Sequence, residues 1–200
     1  MNRIKRQFDL FFSFVGISLF LPVGALIALM IKIEDSGPIF FIQERVGYRG
    51  KLFRMIKFRT MVRDADKVGT AITIGNDPRI TRIGRWLRRF KLDEFPQLFN
   101  VLKGEMSFVG PRPEVPRYVA AYNDREREVL KLTPGITDPA SIIYRNESEI
   151  LSKFEDPEKQ YIEKIMPDKI RINLEYARRA NIISDIFVIL QTLGILFKKN

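Results

Sequence analysis

"LFFSFVGISLFLPVGALIALMI", residues 10–31, runs for 22 residues without a charge. As a helix rising about 1.5 Å per residue it measures about 33 Å, close to the hydrocarbon thickness of a bilayer. Arg3, Lys5 and Arg6 precede it, so the positive-inside rule puts the N-terminus in the cytoplasm. A cleaved signal peptide fits poorly, because the run is too long and no small-x-small site comes after it before Lys32. Pro22 divides the run directly after Leu21. It removes one backbone donor and clashes with the carbonyl of Ser18. The arms on either side, residues 10–21 and 23–31, are each too short to cross alone. Two readings stay open on this segment: a kinked span, since prolines are tolerated in membrane helices, or a re-entrant helix-break-helix that returns to the side it entered. A true span would carry everything after it out of the cell.

The rest of the chain is long enough for one domain with a core. The chain has 200 residues, 46% of them hydrophobic, with 16 Phe. The expected division is a membrane segment, 1–35, and a membrane-associated domain, 36–200. There is no Cys and no His. That excludes disulfide scaffolds, thiolate chemistry, Ser-His triads and imidazole metal sites. Catalysis falls to carboxylates, Lys, Arg, Tyr, hydroxyls or a bound metal. A net charge of +10 favours an anionic partner: nucleic acid, an acidic membrane face or a phosphorylated substrate.

"GPIFFIQERVGYRGKLFRMIKFRTM" (37–61) predicts a small hairpin around Gly47-Tyr48-Arg49-Gly50. Period two puts Lys57 and Arg59 on one face, either solvated or contacting phosphates. In "DPRITRIGRWLRRFK" (77–91), Arg79, Arg82, Arg85 and Arg88 recur every three residues among apolar ones, with Thr81 as the expected cap. Such a basic amphipathic helix suits an anionic lipid surface or nucleic acid. Beside a membrane anchor, lipid is the expected partner and nucleic acid is not. A helix is expected over 93–103, ended by Gly104. Pro96 then places Asp93 and Glu94 at its N-terminus, where acidic residues usually cap amides. Pro111 and Pro113 bracket Arg112 in a stiff loop, either an ordinary turn or a fork for phosphate or carboxylate. Helix is expected over 115–132 and 167–197. Arg145 and Glu147, in the loop and polar stretch over 133–149, are site residues or surface. Asp185 and Gln191 make the tail an interfacial or core-packing helix rather than a span.

"KLDEFPQLFNVLKGEMSFVGPRP" (91–113) closely resembles the signature of bacterial sugar transferases, the monotopic phosphoglycosyl transferases. The hairpin segment, "DPRITRIGRWLRR" and "TPGIT" (133–137) support it, and the resemblance covers almost the whole chain. It implies a membrane-bound enzyme. Such an enzyme moves a phosphosugar from a UDP-sugar to polyprenol phosphate, giving polyprenyl-diphosphate-sugar and UMP, with Mg²⁺ and a covalent intermediate on the aspartate of an Asp-Glu pair. Asp93 takes that aspartate's place as nucleophile, Glu94, its partner, assists through the metal or by positioning, and Asp93 and Glu94 are the candidate metal ligands. Arg112, and then Arg88, Lys57, Arg59 and Arg145, would bind substrate.

A carboxylate already ionised at neutral pH needs no base to attack phosphorus. UDP-sugars are cytoplasmic, so the resemblance selects the re-entrant reading, broken at Pro22 and Leu21. The domain then lies on the cytoplasmic face of the bacterial inner membrane. The expected fold is α/β mixed and mostly helical, with a re-entrant membrane helix, a small β-hairpin and amphipathic helices lying on the surface. Two departures from the family pattern stand out. Leu21 replaces the usual Ser before the proline, and Asp138-Pro139-Ala140 replaces Gly-Trp-Ala after "PGIT". The rival reading is a membrane-anchored basic protein that binds lipid or nucleic acid, with Asp93 and Glu94 only capping.

Overall fold

The computed structural model describes residues 3–65, 75 and 77–197, with side chains as far as Ile195. Lys198 and Lys199, at the end of the tail, lie outside the described residues. Helix α1, Arg3–Glu34, holds the apolar run and is the one described helix long and apolar enough to cross a membrane. Pro22 lies inside α1, which continues as helix on either side of it rather than ending there. A proline removes one hydrogen bond, and the turns on either side keep the rest. Ser18 Oγ donates to the carbonyl of Phe14 at 2.9 Å.

Both ends of α1 are fastened to the same domain. Arg6 donates to the carbonyls of Val101 and Leu102 at 2.5 and 2.7 Å, serving the exposed C-terminal carbonyls of α3, Gln97–Lys103. Lys5 donates to Val109 O at 2.8 Å and to the buried Asp185 at 2.5 Å. At the other end, Glu34 accepts from the amides of Arg82 and Ile83 at 2.8 and 3.1 Å, at the start of α2, Arg82–Arg89. Between them Phe20 stacks on Phe95, with ring centroids 3.5 Å apart. The opposite side of α1, including Phe11, Phe14, Leu19, Leu21 and Leu29, is bare.

Strands β1, Phe40–Val46, and β2, Leu52–Phe58, pair antiparallel from Phe40↔Phe58 to Val46↔Leu52, as the hairpin reading expects. Phe53 and Met55 bury against Val101 of α3 and Met106. The free edge of β2 is closed by Asn100, whose Oδ1 accepts from Ile56 N at 3.1 Å while Nδ2 donates to Arg54 O at 2.7 Å. Thr81 caps α2 by accepting from Gly84 N at 2.9 Å. The expected arginine stripe is split. Arg82 and Arg85 are exposed, whereas Arg79 precedes the helix and pairs with Asp77 at 2.6 Å, and Arg88 turns inward.

Two short parallel strands come next, β3 (Ser107–Val109) and β4 (Gly135–Thr137). The helix expected over 115–132 is instead α4, Pro116–Val119, and a 3₁₀ turn, Glu126–Lys131. Asn123 and Glu126 bond each other's amides reciprocally and restart the chain between them. Beyond β4 lie α5 (Pro139–Ile143), α6 (Glu147–Leu151) and α7 (Pro157–Gln160), which leads through a π-helical turn, Tyr161–Ile165, into α8 (Met166–Ala177). The largest core gathers Tyr118, Val119, Tyr122, Leu151, Tyr161 and Ile170. The final helix, α9 (Ile182–Phe197), buries Asp185 and Val188 and exposes Ile183, Phe187 and Leu190. These lie four and three residues apart, on one bare apolar face.

Candidate active site

Lys91 has φ +56°, a left-handed residue that reverses the chain after α2. The 3₁₀ turn Leu92–Glu94 comes directly after it, then Pro96 and α3. Leu92 packs with Ile27, Ile31 and Leu87, and Phe95 stacks on Phe20 of α1. With both apolar neighbours held against the membrane helix, the two carboxylates between them turn inward and are buried. Neither caps α3, which starts four residues later than expected and has no side-chain cap. The ordinary reason for acidic residues before a helix is therefore missing here.

Glu94 is bonded through both oxygens. Arg112 grips it as a fork, Nη2 to Oε1 at 2.6 Å and Nη1 to Oε2 at 3.4 Å, and Lys57 Nζ donates to Oε1 at 3.2 Å. Burial alone would push the Glu94 carboxyl up, but Arg112, then Lys57 and Lys91, hold it well below the usual range. Burial also lowers Lys57, to about 8. Asp93 is the opposite case. Its Oδ1 is buried without a hydrogen-bond partner among the described residues. Burial, then the Glu94 charge, raise its carboxyl, and Lys57, Lys91 and Arg88 oppose them. One carboxylate is locked and its neighbour is left with an unspent oxygen.

Of the expected cations, Lys57 and Arg112 reach the pair directly. Arg88 is fixed by donating to Thr60 Oγ1 at 2.8 Å, with its charge felt at Asp93. Arg59 is not brought there. Strand β2 ends at Phe58, so the alternation stops, and Arg59 is spent on Asp35, bonding its carboxylate and its carbonyl at 2.8 Å. Arg145, just beyond the end of α5, lines a cleft that Glu94 and Arg112 also line, and is exposed and without an ion pair among the described residues. Asp138 turns away from the cleft. It caps α5 through Ser141 N at 3.0 Å and accepts from Asn173 at 2.9 Å.

The Arg112 loop is tightly tied down. Pro111 O accepts from Gly135 N at 3.0 Å, and Pro113 O accepts from Arg45 at 3.0 Å. Gly110 and Gly135 pass backbone against backbone, so a Cβ on Gly135 would lie 2.1 Å from Gly110 N. Gly135→Ala is expected to cost about 1–3 kcal/mol and to shift Arg112, lowering the denaturation midpoint and turnover together. Arg45 and Lys91 are site residues that sequence reasoning missed. Their only signal was a position inside two of the quoted motifs.

Glu94 and Arg112 open on a cleft of about 1020 Å³. One side is apolar, from Phe12 and Gly16 of α1, Leu98, Phe108, and Ile189 and Leu193 of α9. The other carries Tyr144, Arg145, Glu147, Tyr161 and Lys169. Among the described residues no group of three or more carboxylates converges. Asp93 and Glu94 are the acidic pair at hand, and the unspent Asp93 Oδ1 fits a small hard cation that takes its remaining ligands from phosphate and water.

Known proteins share this arrangement of sequence. The chain is 40% identical over 147 residues to the UDP-N-acetylgalactosamine-undecaprenyl-phosphate N-acetylgalactosaminephosphotransferase of Aeromonas hydrophila, covering 70% of this chain and 34% of the relative. It is 38% identical over 203 residues to the UDP-glucose:undecaprenyl-phosphate glucose-1-phosphate transferase of Escherichia coli (strain K12), covering 96% and 40%. To the exopolysaccharide production protein ExoY of Rhizobium meliloti (strain 1021) it is 30% identical over 204 residues, covering 94% and 83%. The chain thus spans well under half the length of the first two relatives. The family model for bacterial sugar transferases matches residues 1–199. With nearly every residue inside that match, the chain belongs to the bacterial sugar transferase family.

Proposed function

We propose that the protein transfers a sugar-1-phosphate from a UDP-sugar to polyprenol phosphate, releasing UMP, as an early membrane step of bacterial glycan assembly. The observation that carries this reading is the cleft. It joins bare apolar helices to Glu94, the member of the buried, cation-framed carboxylate pair that lines it, with Asp93 directly before it in the chain. A lipid phosphate enters with its chain against Phe12, Leu98, Phe108 and Leu193 and its head toward Arg112. The named activities of the Aeromonas and Escherichia relatives support the same donor and acceptor classes.

Asp93 is the nucleophile. Its carboxylate oxygen attacks the sugar-bearing phosphorus, and the bond from that phosphorus to the bridging oxygen breaks, its electron pair leaving with UMP. A phosphate oxygen of the polyprenol phosphate then attacks the same phosphorus, and the acyl-phosphate bond breaks to return Asp93 as carboxylate. Arg112 holds Glu94 in place through its fork and keeps donor capacity for phosphate oxygens. Asp93 and Glu94 would hold Mg²⁺, which when bound offsets the diphosphate charge and favours UMP as leaving group. The test is UMP release from purified protein in nanodiscs with Mg²⁺, polyprenol phosphate and a UDP-sugar panel. UMP from one or two donors is expected, and silence across the panel from folded protein would sink the reading.

The same reading makes α1 re-entrant and puts the domain on the cytoplasmic face. Support comes from Lys5 and Arg6 at one end and Glu34 at the other, all bonded to that domain. The bare residues Leu19, Leu21 and Val23 lie between those ends. The chain has no cysteine, so Asn2→Cys and Lys51→Cys can be compared cleanly. An impermeant maleimide is expected to reach both only in inverted vesicles. Labelling from opposite faces would show a span.

A further inference from the structure

The proposed chemistry leaves one wall of the cleft without a task. Glu147, the first residue of α6, and Lys169, on α8, both line it beside Tyr161. Lys169 Nζ donates to Glu147 Oε2 at 2.7 Å and stands 5.5 Å from the Tyr161 ring centroid. An ammonium has three protons, and this bond uses one. The Lys169 side chain is only 12% exposed, so bulk water serves the others poorly. Glu147, its side chain 26% exposed, is bonded to Lys169 through Oε2, which leaves Oε1 to face water or a ligand. A pair whose only task was to brace α6 on α8 would not need to face a large cavity with donors and an acceptor unspent.

The wall is also joined to the reactive end. The Tyr161 hydroxyl bonds Glu114, which lies 3.8 Å from Arg45, and Arg45 holds Pro113 of the Arg112 loop. Arg112, Tyr161 and Lys169 border one further small cavity together, so they are neighbours and not merely members of one long groove. A sugar ring carries hydroxyls that both donate and accept. It loses its water at a cost on the apolar wall of α1 and α9, and regains those bonds only on the polar one.

We propose that Glu147 and Lys169, beside the Tyr161 ring, form the subsite for the donor's sugar. The unspent carboxylate oxygen accepts from one ring substituent while the ammonium donates to another. This rests on the reading of the protein as a UDP-sugar transferase and assigns its choice of sugar to α6 and α8.

The test measures binding without turnover, in full-length Asp93→Asn protein in nanodiscs, using UDP, UDP-glucose, UDP-galactose and their two N-acetylhexosamine counterparts. One sugar nucleotide is expected to bind more tightly than UDP. Glu147→Gln and Lys169→Met are each expected to weaken that ligand by about tenfold to a hundredfold, the range of a hydrogen bond to a charged group, while UDP changes less than about twofold. The swap Glu147→Lys with Lys169→Glu restores the bridge between α6 and α8, and with it the melting temperature, but not the preference. Equal losses for UDP and its sugar, a swap that restores sugar binding, or no sugar binding tighter than UDP would each overturn the subsite. Sugar-dependent binding without any UMP release from the unsubstituted protein would instead overturn the transfer reaction and leave the subsite standing.

Discussion

Asp93→Asn is expected to abolish UMP release, by on the order of 10⁴-fold or more, while leaving the melting temperature unchanged or raised. The two halves of this expectation have one cause. Asp93 is buried, has an oxygen with no partner among the described residues, and stands beside the charge of Glu94. Each of these makes a charged side chain costly there, so an amide of the same shape relieves repulsion and folds at least as well. An amide is no nucleophile toward phosphorus, so chemistry stops. A helix-capping residue would behave differently, since Asn caps about as well as Asp and the substitution would spare stability and turnover alike. Glu94→Gln serves as the control, because it removes a carboxylate that is already satisfied three times. It is expected to destabilise as well as impair. Turnover close to that of the unsubstituted protein in Asp93→Asn would return Asp93 to a structural role and revive the rival reading of a basic membrane-bound binding protein.

Local signals survived the passage from sequence to structure, and long-range ones did not. The hairpin, the Thr81 cap and the end of α3 at Gly104, with φ +83°, are decided by neighbours within a few residues. Residues 115–132 carry a helical spacing of buried Tyr118, Val119, Tyr122 and Val129, yet the reciprocal Asn123–Glu126 bonds break the run. Arg59 was paired with Lys57 by an alternation that ends one residue too soon, and Asp35, 24 residues earlier, captures it. The site divides along the same line. The Asp93, Glu94 and Arg112 motifs were legible as motifs, whereas the fork between Arg112 and Glu94 spans 18 residues and needed coordinates. Lys5 and Arg6 read as topology signals, and the structure spends both on the domain.

Arg112→Met is expected to destabilise the protein by about 2–3 kcal/mol and to remove turnover, and the double variant with Glu94→Gln separates the two effects. Glu94 is 8% exposed and its charge is compensated by Arg112 and Lys57. Removing the guanidinium leaves a buried carboxylate with one lysine, itself disposed by burial to give up its proton. The Arg112 side chain is 28% exposed, so water moderates the loss and the figure stays below that of a fully buried pair. Neutralising Glu94 at the same time removes the orphaned charge. The double variant is therefore expected to regain most of the lost stability in a denaturant titration, a coupling visible only in the complete cycle. Turnover is not regained, since neither the fork nor the phosphate donors return. Arg112→Lys restores charge without the planar fork and belongs between the two. Additive losses in the cycle would mean that Arg112 and Glu94 act independently. Arg112 would then be a phosphate ligand that happens to lie near Glu94, and the positioning of the acidic pair would have to come from Lys57 and the Phe20–Phe95 stack alone.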